Sequence, residues 1–157
     1  MKNKVLILGM GNSILSDDAI GLIIAEKIYK FFEYESRNKN HEYFLELAET
    51  GGMNLLDIIK GYDELIVIDS VKTGKFEPGE VVEITPERGI GSHRLLSSHD
   101  VSLFECLKMG RELEHKMPDT VRIFGIEILN NEEFSEKLSP QIREKPEEIT
   151  SEILKAL

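Results

Sequence analysis

Short apolar runs alternate along the chain with longer stretches in which apolar residues recur every three or four positions. That alternation is the pattern of strands joined by helical crossovers in a mainly parallel sheet. Strands are expected near Val5–Leu8, Tyr43–Ala48, Leu65–Ile68, Val81–Ile84 and Val121–Ile126. Between them, Ala19–Phe32 sets Ile20, Ile23, Ile24, Ile28 and Phe31 on one helical face, and Met53–Ile59 predicts a shorter helix. A third helix is expected from about Asp100 to Leu113, with Ser97 or Ser98 as its cap. A fourth runs from Pro146 to Ala156, where Pro146 suits the first helical position and Glu147 and Glu148 lie near the positive end of the dipole. Glu77-Pro78-Gly79-Glu80 carries turn chemistry close behind the preceding strand, which allows Val81–Ile84 to run antiparallel. The pattern predicts one domain over residues 1–157, an α/β three-layer αβα sandwich with a mostly parallel twisted sheet of about five strands and helices on both faces.

Composition narrows the partners. At 157 residues and 41% hydrophobic content the chain builds one domain with a real core. A formal charge of −10 argues against nucleic acid or an anionic membrane surface, both of which would be repelled, and favours a small or basic protein partner. Cys106 is the only cysteine, which excludes an internal disulfide and a thiolate zinc cluster and points to a reducing compartment. No apolar run approaches the roughly 20 residues that span a bilayer. The start, Met1-Lys2-Asn3-Lys4, passes into a strand pattern without a long apolar leader, so a cytoplasmic protein is expected. Nothing in the pattern indicates an oligomeric state.

The chemistry gathers where strands end. Gly9-Met10-Gly11-Asn12-Ser13-Ile14-Leu15-Ser16-Asp17-Asp18-Ala19-Ile20-Gly21 follows the first strand and carries two adjacent acids within a glycine-containing turn. As a dinucleotide cradle it is poor: the third glycine of G-x-G-x-x-G falls at Ile14, and Asp17 and Asp18 would repel a pyrophosphate. No nucleotide cofactor is therefore expected. Asp17 is accounted for as a cap of the helix that follows, which leaves Asp18 unexplained. Asp69 ends the apolar run Glu64-Leu65-Ile66-Val67-Ile68, again at the carboxyl end of a strand, although an aspartate there is often a turn residue. His99 stands before the third helix, whereas His41 and His115 read as exposed loop residues. Asp18, Asp69 and His99 would supply two carboxylates and an imidazole, a set that suits zinc or nickel with open coordination positions. A proton-sharing pair of acids ranks below it. Thr50-Gly51-Gly52 reads equally as a cap or as backbone passing close to the site. Glu127 is either a further acid or a solvated charge, and Glu49 and His93 have no assigned role. Cys106 fits the buried face of a helix, and no Gly-x-Ser-x-Gly elbow is present.

These residues resemble the hydrogenase maturation proteases, endopeptidases that remove a C-terminal extension from the large subunit of nickel-iron hydrogenases. The resemblance runs through Gly9-Met10-Gly11-Asn12, Asp17-Asp18-Ala19-Ile20-Gly21, Thr50-Gly51-Gly52-Met53, Ile68-Asp69, Ser98-His99 and Gly125-Ile126-Glu127. It implies that Asp18, Asp69 and His99 form the nickel-recognising and catalytic set. Asp18 stands where the family often has glutamate. It further implies that the nickel is carried by the substrate, the precursor of a hydrogenase large subunit, and reports that loading is complete. The activity expected is that of an endopeptidase of aspartic type. A non-catalytic metal-binding chaperone and a Rossmann-like nucleotide-binding protein are the alternatives.

Overall fold

The computed structural model describes residues 1–35, 40–49, 55–85 and 102–157. Five strands form one sheet: β1 (Asn3–Met10), β2 (His41–Ala48), β3 (Glu64–Val71), β4 (Val81–Ile84) and β5 (Thr120–Glu127), in the order β2-β1-β3-β5-β4. All neighbours are parallel except β4, which pairs antiparallel with β5, as the short turn before it allowed. The helices are α1 (Ile20–Tyr34), α2 (Leu55–Ile59), α3 (Leu103–Glu112), α4 (Pro140–Arg143) and α5 (Pro146–Ala156). A single 3-10 turn, Ser16–Ala19, leads into α1.

Period-two alternation divides the central strands between two cores. Leu6, Leu8 and Met10 of β1 and Leu65, Val67 and Val71 of β3 pack with Ile59, Leu103, Cys106 and Leu107 on the α2–α3 side. Val5 and Ile7, with Ile66 and Ile68, meet Ile20, Ile24, Ile28, Ile149 and Ile153 on the α1–α5 side. Burying each such aliphatic side chain contributes about 1.5–3 kcal/mol, which explains why β1 and β3 read as near-continuous apolar runs. Phe31 departs from the expected stripe: it is 43% exposed, and Phe32 packs against the core in its place.

Helix ends show what sets the boundaries. The described cap of α3 is Ser102, not Ser97 or Ser98. Its hydroxyl accepts from the Glu105 N–H, while the Glu105 carboxylate accepts from the Ser102 N–H. That reciprocal pair satisfies two donors that would otherwise be orphaned. Pro146 opens α5 as expected, and the four-residue α4 with Pro140 in its first turn had no counterpart in the pattern. His41 is not a loop residue; it begins β2 and is half-buried, while His115 is exposed.

Candidate functional site

Strand order creates the crevice. From β1 the chain leaves to one side of the sheet toward β2, and from β3 to the other side toward β5. The carboxyl ends of β1 and β3 therefore flank a topological switch point, where open α/β sheets bind ligands. Asp18 follows β1 and Asp69 lies within the last residues of β3.

Close packing brings the entry to α1 against the end of β3. A Cβ on Gly21 would lie 2.3 Å from the Met10 carbonyl oxygen and 3.0 Å from the Asp69 Cα, and one on Gly11 would lie 2.3 Å from the Asp18 carbonyl oxygen. Neither glycine adopts a left-handed φ; the described glycines that do are Gly61, Gly74 and Gly79. The opening glycines thus serve by lacking a side chain, not by bending the backbone. The left-handed residue in this turn is Ser16, with φ of 50°, held by its N–H to Ser135 O at 2.8 Å and its hydroxyl to Lys137 O at 3.0 Å.

The two neighbouring acids have separate jobs. Asp17 is fully buried and does not cap α1, whose start has no side-chain cap. Its Oδ2 accepts from the N–H groups of Leu129 and Asn130 at 3.2 and 3.0 Å and from the Ser139 hydroxyl at 2.7 Å. Its Oδ1 accepts from the Ser139 N–H at 2.6 Å. This corrects the cap expectation: four long-range donors hold the carboxylate away from the helix end. Asp18, 4% exposed, turns the other way and accepts from the Ser70 hydroxyl through Oδ1 at 2.6 Å. Asp69, also buried, accepts from the Ser70 N–H at 2.8 Å. One serine therefore contacts both candidate acids. Its place at the buried end of β3 was signalled by the polar pair Asp69-Ser70 between Ile68 and Val71, but only to a reading that carried the strand past Ile68.

Other expectations resolve differently. Glu127 is neither solvated nor a member of this pair. It is 2% exposed, and its carboxylate accepts from Thr73 N, Gly74 N and the Thr73 hydroxyl, each at 2.8 Å, so it holds the turn after β3. Glu49 is exposed. Cys106 is buried, and burial, the largest cause, pushes its thiol up; this does not favour a thiolate nucleophile. His99, His93 and Thr50-Gly51-Gly52 lie outside the described residues, and His99 precedes the α3 cap by three positions in sequence. Among the described residues, no three His, Cys, Asp or Glu side chains gather as a metal-holding group. No described helix is long and apolar enough to cross a membrane.

A five-stranded α/β sheet with two buried acids tied together at its switch point is a recurrent setting for enzyme chemistry. The HycI family model, described as hydrogenase maturation protease, matches residues 24–156, and the chain belongs to that family of peptide-bond hydrolases. It is 28% identical over 158 residues to the hydrogenase 2 maturation protease of Escherichia coli (strain K12), covering 98% of this chain and 90% of that protein. To the hydrogenase expression/formation protein HupD of Rhizobium leguminosarum bv. viciae it is 26% identical over 142 residues, covering 89% of this chain and 67% of the relative. The chain spans about two thirds of the length of the HupD proteins it matches. Its fold is similar to that of the hydrogenase maturating endopeptidase HybD from E. coli, with a TM-score of 0.67 at 25% identity, covering 100% and 92% of the two chains.

Proposed function

We propose that the protein is an endopeptidase that removes the C-terminal extension from the nickel-loaded precursor of a nickel-iron hydrogenase large subunit. In this reading the substrate's own nickel is recognised through Asp18, Asp69 and His99. The observation that carries it is the joining of Asp18 and Asp69, from two separate connections, through Ser70 at the switch point. Membership of the family supports the substrate class.

Two carboxylates and an imidazole suit a borderline divalent ion and leave positions open for ligands that belong to the precursor. The protein does not need to own the metal: docking onto nickel that the substrate presents brings the neighbouring peptide bond to the crevice only when loading is complete. Nickel presented by the precursor would polarise the neighbouring carbonyl or a bound water, and a carboxylate of the site acting as general base on the attacking water is the rival route.

The test mixes the protein with nickel-loaded or nickel-free precursor and follows release of the C-terminal peptide by mass spectrometry. Release is expected only from the loaded form, and Asp18→Asn or Asp69→Asn should slow it by about a hundredfold or more. Equal cleavage without nickel, or full activity in either variant, overturns the reading. Tight binding with no change in the precursor's mass would identify a metal-binding chaperone instead.

A further inference from the structure

We propose that Ser70 is the positioning residue of this site and sets where the Asp18 carboxylate stands relative to Asp69. The proposal rests on the reading that the two acids act together on the precursor's nickel.

Alternation along β3 separates the acids. Asp69 shares the parity of Leu65 and Val67, whose side chains enter the α2–α3 core, whereas Ser70 shares that of Ile66 and Ile68, which enter the α1–α5 core. Asp18 meets Ser70, so the acids reach the crevice from different sides of one strand end. Ser70 bonds to both: its main chain holds Asp69 Oδ1 and its side chain holds Asp18 Oδ1.

The need for such a holder differs between the acids. Asp69 sits in a strand paired with β5 opposite Gly125, so the sheet itself fixes its backbone. Asp18 sits in one 3-10 turn, whose hydrogen bonds are poorer than those of a helix or sheet. The Ser70 hydroxyl is a side-chain contact from outside that turn and restrains where its carboxylate stands. At 2.6 Å the bond is a short hydroxyl-to-carboxylate contact, about twice as strong as a neutral one.

Packing alone does not call for serine here. Ser70 is 3% exposed, next on its strand face to Ile66 and Ile68, and a hydroxyl buried there is costly unless bonded. Its described bond runs to a residue 52 positions away in sequence, not to a carbonyl of its own strand. Ser70 thus acts through Asp18 and does not need to touch the substrate.

Ser70→Cys and Ser70→Thr separate this role from space filling, because the first nearly keeps the volume and loses the strong donor while the second keeps the hydroxyl. Two measurements are made on each: kcat and KM with nickel-loaded precursor, and the side-chain carboxylate carbon resonances of 13C-labelled aspartate in the free protein. Ser70→Cys is expected to lower kcat/KM by about tenfold or more and to move the Asp18 resonance while leaving that of Asp69 in place. Ser70→Thr is expected to stay within about threefold of the unaltered protein. If Ser70→Cys does not fold, Ser70→Ala is read against Ser70→Thr in the same way. Full activity and an unmoved Asp18 resonance in Ser70→Cys, with Asp18→Asn inactive, overturn the positioning role and leave the site reading intact. Full activity in Asp18→Asn overturns both.

Discussion

A methyl group on Gly21 would stand 2.3 Å from the Met10 carbonyl oxygen and 2.8 Å from that of Ile68, and neither backbone atom can rotate aside. Two effects oppose each other in Gly21→Ala. Alanine favours a helix over glycine by about 1 kcal/mol, whereas overpacking against fixed atoms costs about 1–3 kcal/mol or more. With contacts this short the clash wins, and the start of α1 must lift from the ends of β1 and β3. Urea unfolding of Gly21→Ala is expected to show a loss of about 2 kcal/mol, and a gain in stability would disprove the close approach. Precursor cleavage should fall with it, because Asp18 and the Asp69 backbone lie on the two surfaces being parted. In the sequence this glycine falls inside the expected helix Ala19–Phe32 and within the motif that carries the family resemblance, with no role of its own. A missing side chain is visible in a sequence; the backbone that occupies its space is not.

Elements with strong periodicity were the most legible. Val81–Ile84 and Pro146–Ala156 appear with the expected bounds, and the other strands grow by one to three residues at their ends, where polar residues still pair in the sheet. Two of the three proposed site residues, Asp18 and Asp69, are found at one sheet edge, and the third, His99, lies outside the described residues. What the pattern did not reveal are side-chain bonds between distant segments. Asp17 resembled a helix cap because caps are local and common, yet its partners lie 112 to 122 positions onward. Through them the turn before α1 is joined to the segment between β5 and α4, which also bonds to Ile14 and Ser16 through Ser135. Asp17→Ala strands three part-buried backbone donors, and a donor left unpaired costs up to about 1–3 kcal/mol when fully buried. Urea unfolding should reveal a loss of about 3 kcal/mol, and hydrogen exchange should be fastest at Leu129, Asn130 and Ser139. Uniform exchange across the sheet would show that Asp17 is not a local clamp.

Acids hold strand ends at both edges of the molecule. Opposite the crevice, the Asp63 carboxylate accepts from the Lys4 N–H at 2.7 Å and from Lys116 Nζ at 2.6 Å, and its backbone carbonyl accepts from Asp119 N at 3.0 Å. These contacts gather the starts of β1, β3 and β5. The Lys116 hydrogen bond, first, and the Lys4 N–H, second, hold the Asp63 carboxyl below its ordinary range. A group whose folded-state value is lowered adds stability above its unfolded value and loses that contribution as pH falls through the folded one. Net charge acts in the opposite sense at first, since 29 acidic against 19 basic residues repel at neutral pH and mild acid relieves that repulsion. The two effects separate by difference, because Asp63→Asn removes one carboxylate and leaves nearly all of the general repulsion. Urea midpoints of both proteins measured from neutral pH into acid should lie apart at neutral pH, with the unaltered protein the more stable. They should converge as Asp63 protonates. A constant gap across that range would show that Asp63 stabilises the edge through its shape and neutral hydrogen bonds, and not through its charge.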